Sequence, residues 1–299
     1  MNIECGVPQG SALGPKLFIL YINDICETSK LLQFVLFADD TNCFSSGDDL
    51  NILAKCIGHE MVKLKRWFDE NKLTLNLNKT KFMVFANRKK DENISLSIDG
   101  VFIERVSEFR FLGVTLDDNL TWKSQIAHVK TKVSRNISVL NKAKYLLDYK
   151  ALRMLYCSLI LPFFIYCIEV WGNTYMSNIK PLSILQKRAV RIIHKADSRE
   201  HTNRLFFKSG LLKLKDIAEL QTLLVMHKAK SRMLPVYLQQ LFVFGSDKED
   251  HRKTLNFKHP YARTTLKGDL SCKMHFCTSC LHEYVSPVFQ GTAFHLLLQ

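Results

Sequence analysis

The sequence contains no apolar run long enough to cross a membrane. Its most apolar stretch, residues 154–168, is shorter than the roughly 20 residues that span a bilayer, and it is interrupted by Ser158 and Pro162. The first five residues have neither the basic start nor the apolar core of a signal peptide. We therefore expect no membrane association, and the stretch 154–168 is predicted to lie within a buried helix, Tyr149 to Ile168.

The nine cysteines do not form the framework of a secreted, disulfide-rich protein. They are scattered along a chain without a secretory signal, which favours reduced thiols and an intracellular location, in the nucleus or the cytoplasm. Near the C-terminus five potential zinc ligands cluster: Cys272, His275, Cys277, Cys280 and His282. These ligands are closer in sequence than those of a standard zinc finger, so we expect chance clustering, with a zinc-binding module as the alternative.

Acidic residues are scarce in the second half of the chain. Residues 1–120 carry 14 Lys and Arg against 17 Asp and Glu, whereas residues 121–299 carry 28 against 11. A net charge of +17 in the second half is typical of a surface that binds a polyanion. A basic but functionless or partly disordered tail is the competing interpretation. Hydrophobic content of 47% and charged content of 23% indicate a globular protein.

Two adjacent carboxylates, Asp39 and Asp40, lie between two apolar stretches, Leu31 to Ala38 and Asn42 to Phe44. Each stretch suits a short buried strand, so the pattern predicts a hairpin with both aspartates at its tip. An isolated Asp-Asp pair is more often a solvated turn. Its neighbours in the sequence favour a functional interpretation.

Local signals predict three further elements. Asp48 and Asp49 after Gly47 indicate the start of a helix with an apolar stripe on one face: Leu50, Leu53, Ile57, Met61, Leu64 and Phe68. Asp99-Gly100, between two short apolar stretches, predicts a hairpin. The stretch from Phe109 to Leu116 is predicted to be a strand.

Several motifs follow one another in a fixed order. The segment Gly6-Val7-Pro8-Gln9-Gly10-Ser11 is followed by Tyr21-Ile22-Asn23-Asp24 and Phe37-Ala38-Asp39-Asp40, and later by Phe111-Leu112-Gly113 and Leu185-Gln186-Lys187-Arg188-Ala189. Together they resemble the reverse transcriptases (RNA-directed DNA polymerases) of non-LTR retrotransposons, of the jockey-like or a related lineage. The resemblance covers roughly residues 3 to 242 without a break.

This resemblance implies an α+β fold. Residues 1–120 would form part of a right-hand polymerase palm, an antiparallel sheet with helices. Residues 121–244 would form an all-helical thumb bundle, and residues 245–299, which lack sustained periodicity, are predicted to be an irregular basic tail. The implied partners are an RNA template, a DNA primer and deoxynucleotides.

The resemblance also implies roles for individual residues. Asp39 and Asp40 would be catalytic metal ligands, and the lysine near the leaving pyrophosphate would be Lys79, with Lys81 as the alternative. The nucleotide and template pocket would be lined by Gly6, Pro8, Gln9, Gly10 and Ser11. The primer-grip turn would be formed by Phe111, Leu112 and Gly113, although Gly113 alone would equally suit a bulge or a strand end. Phosphates would be bound by Lys187, Arg188, Arg191 and Lys195, whose competing interpretation is a solvated helix face.

The family site uses two Mg²⁺ ions held by aspartates on neighbouring strands, and one of those strands precedes the Gly-Val-Pro-Gln-Gly loop. Since Gly6 lies only five residues after Met1, we expect that strand, the fingers and any endonuclease domain to be missing. Such a chain would bind at most one Mg²⁺, weakly, and would be inactive alone. The alternatives are a non-catalytic nucleic-acid-binding remnant of a decayed element and a truncated product that does not fold.

Overall fold

The computed structural model describes residues 10–85, 94–239, 242 and 292–298. These residues form two units, divided between Phe109 and Arg110, and the C-terminal strand joins the first unit. The architecture is mixed α/β, as predicted. No helix in the described part of the chain is both long and apolar enough to cross a membrane.

The first unit contains a six-stranded sheet and two α-helices. Its elements in chain order are α1 Gly14–Ile22, a 3₁₀ helix Asn23–Thr28, β1 Gln33–Phe37, β2 Asp40–Gly47, α2 Leu50–Glu70, β3 Lys81–Phe85, β4 Leu96–Ile98 and β5 Val101–Arg105. The strand that completes this sheet, Thr292–Leu298, is numbered β8 in chain order. The strand order of the six-stranded sheet is β1-β2-β8-β3-β5-β4.

Helix α2 covers the sheet. It begins after Asp49, whose Oδ1 accepts hydrogen bonds from the backbone N–H groups of Asn51, at 2.8 Å, and Ile52, at 3.0 Å. The apolar stripe predicted for this helix is buried in the core of the first unit. Its buried members are Leu53, Ile57, Met61, Leu64 and Phe68.

The prediction of a wholly antiparallel sheet is wrong at one pair of strands. Lys81 and Phe82 of β3 pair with Glu104 and Arg105 of β5 in parallel, whereas the other strand pairs are antiparallel. The reason is the route of the chain: β4 and β5 form the predicted hairpin at Asp99–Gly100, and β5, not β4, returns beside β3.

The prediction of an irregular tail from residue 245 onward does not hold for residues 292–298. They form β8, a central strand that pairs antiparallel with β2 on one side and β3 on the other. This segment, Thr-Ala-Phe-His-Leu-Leu-Leu, is a short, nearly continuous apolar run, a pattern that is consistent with a strand.

The second unit contains a two-stranded hairpin and a bundle of helices. The first strand of the hairpin, β6 Glu108–Phe111, begins in the last two residues of the first unit before the boundary. The other elements are β7 Val114–Asp117, α3 Lys123–Ala143, α4 Tyr149–Leu159, α5 Leu161–Ile165, α6 Ile168–Trp171, α7 Met176–Ile193, α8 Thr202–Ser209, α9 Leu214–Lys230 and α10 Val236–Gln239. The core of the bundle is lined by α3, α4, α7 and α9 and contains the buried rings of Trp122, Tyr156, Phe164 and Trp171.

The single helix predicted from Tyr149 to Ile168 is wrong, because the chain is divided there into α4, α5 and the start of α6. Pro162 lies in the first turn of α5, where its missing N–H is tolerated, but it cannot continue α4. Cys167 then adopts a left-handed conformation, with φ of 52°, before α6. Hydrophobicity alone therefore overestimated the length of this helix.

Candidate active site and nucleic-acid interface

The two adjacent carboxylates lie on the hairpin that the sequence predicted. Phe37 of β1 pairs with Asp40 of β2, which leaves a two-residue turn, Ala38–Asp39. Ala38 has a φ of 52°, as a tight hairpin turn of this kind requires. Asp39 is exposed and Asp40 is half-buried. Both carboxylates are therefore held at one end of the sheet.

The register of β8 places Lys79 at the same end. Leu297 lies opposite Asn42 of β2 on one side and opposite Lys81 of β3 on the other. Asp40 and Lys79 each lie two residues before these aligned positions, so β2 and β3 begin at the same edge. Two strand spacings, about 10 Å, separate β2 from β3. We call Asp39, Asp40 and Lys79 the hairpin edge.

The structure also distinguishes the two candidate lysines. Lys81 forms an ion pair with Glu104 of β5 and is partly buried. Lys79 is exposed, and its backbone N–H donates to the carbonyl and side-chain oxygens of Asn76, at 3.1 and 3.2 Å. Because Lys81 is paired with a carboxylate, Lys79 is the better placed of the two to meet an anionic ligand at this edge.

The donor atoms of the hairpin edge suit Mg²⁺, since carboxylate oxygens are its usual protein ligands. The two carboxylates are fewer than a two-ion site needs. Among the described residues there is no group of three or more His, Cys, Asp or Glu side chains that could hold a metal ion. Asp39 and Asp40 could therefore hold one ion, together with water and phosphate, but the described residues do not form a two-ion site.

The predicted nucleotide pocket is only partly described. Gly6, Pro8 and Gln9 lie outside the described residues. Gly10 has a φ of 84°, which favours glycine, and the Oγ of Ser11 accepts a hydrogen bond from the N–H of Gly14 at 3.0 Å. Ser11 thus stabilises the start of α1 from three residues upstream, as a helix-capping side chain does. The predicted cysteine and histidine cluster from Cys272 to His282 also lies outside the described residues.

In the second unit, the predicted grip turn connects two strands. The sequence predicted one strand from Phe109 to Leu116, but β6 and β7 are separated by a tight turn at Leu112 and Gly113, with φ angles of 44° and 84°. The hydroxyl of Tyr166 donates to the carbonyl oxygen of Leu112. Desolvation by partial burial raises the pKa of the Tyr166 hydroxyl.

Most of the predicted phosphate-binding residues line one groove. A cavity of about 700 Å³ lies between the end of α3 and the C-terminal half of α7, and its lining includes Lys144, Tyr145, Arg188, Arg191 and Lys195. We call it the α3–α7 groove. None of its lining residues is acidic. A groove with four cations and no carboxylate is suited to bind a polyanion.

Two of the four residues that were predicted to bind phosphates do not lie where the sequence placed them. Lys187 is exposed on α7 but is not among the residues that line the α3–α7 groove. Lys195 lies beyond the end of α7 in a left-handed conformation, with φ of 51°, so it does not continue the helical face with Lys187 and Arg191. It lines the groove from the segment that follows the helix.

Sequence reasoning missed the role of Gln186, which precedes the basic pair Lys187-Arg188. Its side chain is buried: Nε2 donates to the Tyr156 hydroxyl at 3.1 Å and to the carbonyl of Leu212 at 2.9 Å, and Oε1 accepts from the N–H of Leu214 at 2.8 Å. Burial raises the pKa of Tyr156 to about 12. Gln186 thus connects α7 with α4 and with the start of α9. The only sequence signal for this role was a glutamine on the apolar face of a predicted helix.

Comparisons with known proteins agree with the motifs. Residues 1–116 match the family described as "Reverse transcriptase (RNA-dependent DNA polymerase)". The chain is 28% identical over 205 residues to the probable RNA-directed DNA polymerase from transposon BS of Drosophila melanogaster, and 26% identical over 202 residues to the RNA-directed DNA polymerase from mobile element jockey of the same organism. Each alignment covers 64% of this chain and 22% of the relative.

A third relative is more distant. The chain is 23% identical over 176 residues to the retrovirus-related Pol polyprotein from type-1 retrotransposable element R1 2 of Nasonia vitripennis, covering 56% of this chain and 43% of the relative. The alignments with the two Drosophila relatives cover about a fifth of the length of each relative. No solved structure matches it.

Proposed function

Because residues 1–116 belong to the reverse transcriptase family, of the jockey-like, non-LTR kind that the motifs indicated, we propose that this chain is part of an RNA-directed DNA polymerase that copies RNA into DNA. In this proposal the first unit corresponds to part of the palm and contributes reactive groups. The second unit corresponds to the thumb and binds the template and primer.

The observation that supports the catalytic part is the hairpin edge. Two carboxylates and one exposed lysine, which come from segments about 40 residues apart, lie at the same end of one sheet because β8 aligns β2 with β3. Nucleotidyl transfer needs carboxylates to hold the reacting groups and a cation near the departing pyrophosphate. The edge provides both kinds of group.

Each residue of the edge has a distinct role in the proposal. Asp39 is the principal metal ligand and Asp40 is the second carboxylate. Lys79 stabilises the negative charge that develops on the leaving pyrophosphate, or donates a proton to it. Mg²⁺, when bound, supplies Lewis-acid activation of the primer hydroxyl and the phosphates. Since the described residues do not complete a two-ion site, we propose that residues 1–299 alone do not extend a primer.

A second candidate function is nucleic-acid binding without catalysis. The observation that favours it is the contrast between the two units: the described carboxylates of the hairpin edge are too few for a two-ion site, whereas the α3–α7 groove already has four cations and no acid. Both candidates require the second unit to bind nucleic acid. They differ in whether the hairpin edge binds metal and contributes to the catalytic site of a polymerase.

Binding is tested with the purified chain and an RNA template annealed to a DNA primer. We expect affinity to fall steeply with salt, because each phosphate contact releases counterions; the log–log slope on duplex DNA is about −0.9 per contact. The triple change Lys187→Glu, Arg188→Glu, Arg191→Glu should remove most of the binding. A matched triple change of exposed lysines elsewhere on the second unit, Lys123→Glu, Lys130→Glu and Lys213→Glu, should remove much less. Equal losses from both would contradict a defined interface.

Catalysis is tested in the same mixture with deoxynucleotides and Mg²⁺. The chain alone should extend the primer no more than the variant with Asp39→Asn and Asp40→Asn. If the chain extends the primer and Asp39→Asn stops the extension, a further carboxylate completes the site and the proposed inactivity is wrong. Binding without extension in every variant would favour the second candidate function only if Asp39 also proves irrelevant to metal binding.

A further inference from the structure

The α3–α7 groove contains an aromatic ring that phosphate binding does not require. Tyr145 follows the end of α3, is 78% exposed, and lines the groove together with the cations. An exposed ring on a loop gains little from folding, since it remains in contact with water. Its position beside four cations therefore calls for a ligand that has both negative charges and a flat apolar surface.

Two of the four cations of the groove make contacts that position them. The Nζ of Lys144 lies 5.0 Å from the centre of the Tyr145 ring, over its face, as in a cation–π pair. The Nε of Arg191 donates to the carbonyl oxygen of Glu200 at 2.9 Å, which fixes the guanidinium in the groove. One of the five N–H donors of Arg191 is used in this bond. Contacts within the second unit thus position Lys144 over the ring and Arg191 in the groove.

The remaining lining of the groove includes apolar surface as well. Ile184, which is 57% exposed, Ile192 and Ala196 contribute to it. Base-paired duplexes present mainly phosphates and sugars to a protein surface, and their bases are stacked on one another. Unpaired bases, in contrast, stack on exposed aromatic side chains while basic residues bind the adjacent phosphates.

We propose that the α3–α7 groove binds single-stranded nucleic acid, with one unpaired base stacked on Tyr145 and the flanking phosphates bound by Lys144, Arg188, Arg191 and Lys195. This inference rests on the proposed nucleic-acid binding of the second unit and adds to it a preference for unpaired strands. In the polymerase such a strand is the stretch of RNA template that has not yet been copied.

The test compares the full chain with three variants on two ligands, measured by fluorescence anisotropy at one salt concentration. The ligands are a labelled 12-nucleotide RNA without secondary structure and the same RNA annealed to its complement. Tyr145→Ala should weaken binding of the single strand about fivefold or more, the loss expected for one base stack, and should change duplex binding less than twofold. Tyr145→Phe should retain wild-type affinity for both ligands, because the stacking face is kept.

Tyr175→Ala is the matched control, since Tyr175 is 61% exposed in the same unit but does not line the groove. It should leave both affinities unchanged. Ultraviolet crosslinking of the single strand with 5-iodouridine substitutions should attach RNA to Tyr145.

Three outcomes would overturn the inference. Unchanged single-strand affinity in Tyr145→Ala would exclude stacking, and equal losses on both ligands would show that the ring supports the fold or the charge of the groove. Failure of the unaltered chain to bind either ligand would overturn the inference together with the proposed function. The first two outcomes leave nucleic-acid binding intact, so the two failures are distinguishable.

Discussion

The hydroxyl of Tyr166 donates a hydrogen bond to the carbonyl oxygen of Leu112, although the two residues are 54 positions apart in the sequence. The same ring also packs near the next residue: a Cβ added to Gly113 would lie in van der Waals contact with it, 3.4 Å from Cε1 of Tyr166. The turn that resembles a primer grip is therefore supported by the segment between α5 and α6.

Gly113→Ala should destabilise the second unit by about 1 kcal/mol or more, because alanine is strained at a φ of 84° and meets the Tyr166 ring. Urea unfolding followed by tryptophan fluorescence measures the change. Gly210→Ala is the control: its φ is 61°, but its added Cβ would meet no atom within 4 Å. If Gly113→Ala costs no more than Gly210→Ala, the Tyr166 ring does not constrain the turn.

Gln186→Leu should destabilise the second unit by about 2–4 kcal/mol. The change removes the side-chain partner of the Leu214 N–H and of the Leu212 carbonyl oxygen, and unsatisfied buried polar groups cost about 1–3 kcal/mol each. Lys187→Leu, at the neighbouring exposed position, should change the free energy of unfolding by less than about 0.5 kcal/mol. Equal stability of the two variants would contradict the structural role given to Gln186.

The stability of the second unit should fall as the pH falls through the ordinary histidine range, about 6.5. Desolvation lowers the pKa of His194, whose Nε2 lies 3.1 Å from the carbonyl oxygen of Leu205, so the folded state takes up its proton at lower pH than the unfolded state. This contribution is fully present above the unfolded pKa and is lost below it. Lys208 reinforces the shift, while Glu200 and the contact with Leu205 oppose it.

Denaturant midpoints at pH 7.5 and pH 5.5 measure this loss. His194→Gln should reduce the difference between the two midpoints. His128, whose pKa is also lowered, by desolvation and by Arg110 and Lys132, should account for part of what remains. Exposed His201 is the control, and His201→Gln should leave the difference unchanged. A pH dependence that is the same in the unaltered chain, in His194→Gln and in His201→Gln would show that the titrating groups lie elsewhere.

Leu296→Pro should destabilise the first unit and leave the unfolding of the second unit unchanged. Leu296 pairs with Cys43 on one side and Phe82 on the other, and proline removes a backbone donor from a central strand. Leu296→Val, which keeps the N–H, is the control. Hydrogen exchange of the amides in β2 and β3 is the measurement. Unchanged protection in the proline variant would contradict the central position of β8.

Short-range signals in the sequence predicted several elements correctly. Asp49 before an apolar stripe predicted α2, Asp99–Gly100 predicted the β4–β5 hairpin, and Asp39–Asp40 predicted the β1–β2 hairpin. These features depend on neighbouring residues, so local chemistry is sufficient to predict them. The motifs that predicted the reverse transcriptase family are local as well, and residues 1–116 match that family.

Features that depend on distant residues were not predictable in the same way. β8 lies more than 200 residues from β2 and β3, and no local pattern indicates which strands a short apolar run will join. The parallel pairing of β3 with β5 is likewise a property of the sheet. The Tyr145 ring and the four cations meet only because α3 packs against α7.

The candidate site shows the same division. The sequence predicted Asp39 and Asp40 as site residues but left Lys79 and Lys81 as alternatives, because both are cations in one segment. The ion pair between Lys81 and Glu104 distinguishes them, and Glu104 lies 23 residues further along the chain. Tertiary contacts were needed to choose between them.

The most direct test of the account is whether a divalent metal ion binds at the hairpin edge. The full chain is incubated with Fe²⁺, ascorbate and peroxide, so that hydroxyl radicals cleave the backbone near any bound ion, and the fragments are mapped by mass spectrometry. Because Lys79 lies at the same end of the sheet as Asp39 and Asp40, at a strand separation of about 10 Å, cuts should fall near Ala38–Thr41 and near Lys79. Excess Mg²⁺ should suppress them, and Asp39→Asn with Asp40→Asn should abolish them. Cuts confined to other segments, or cuts that persist unchanged in the double variant, would contradict the assignment of this edge as the metal-binding and reactive part of the molecule.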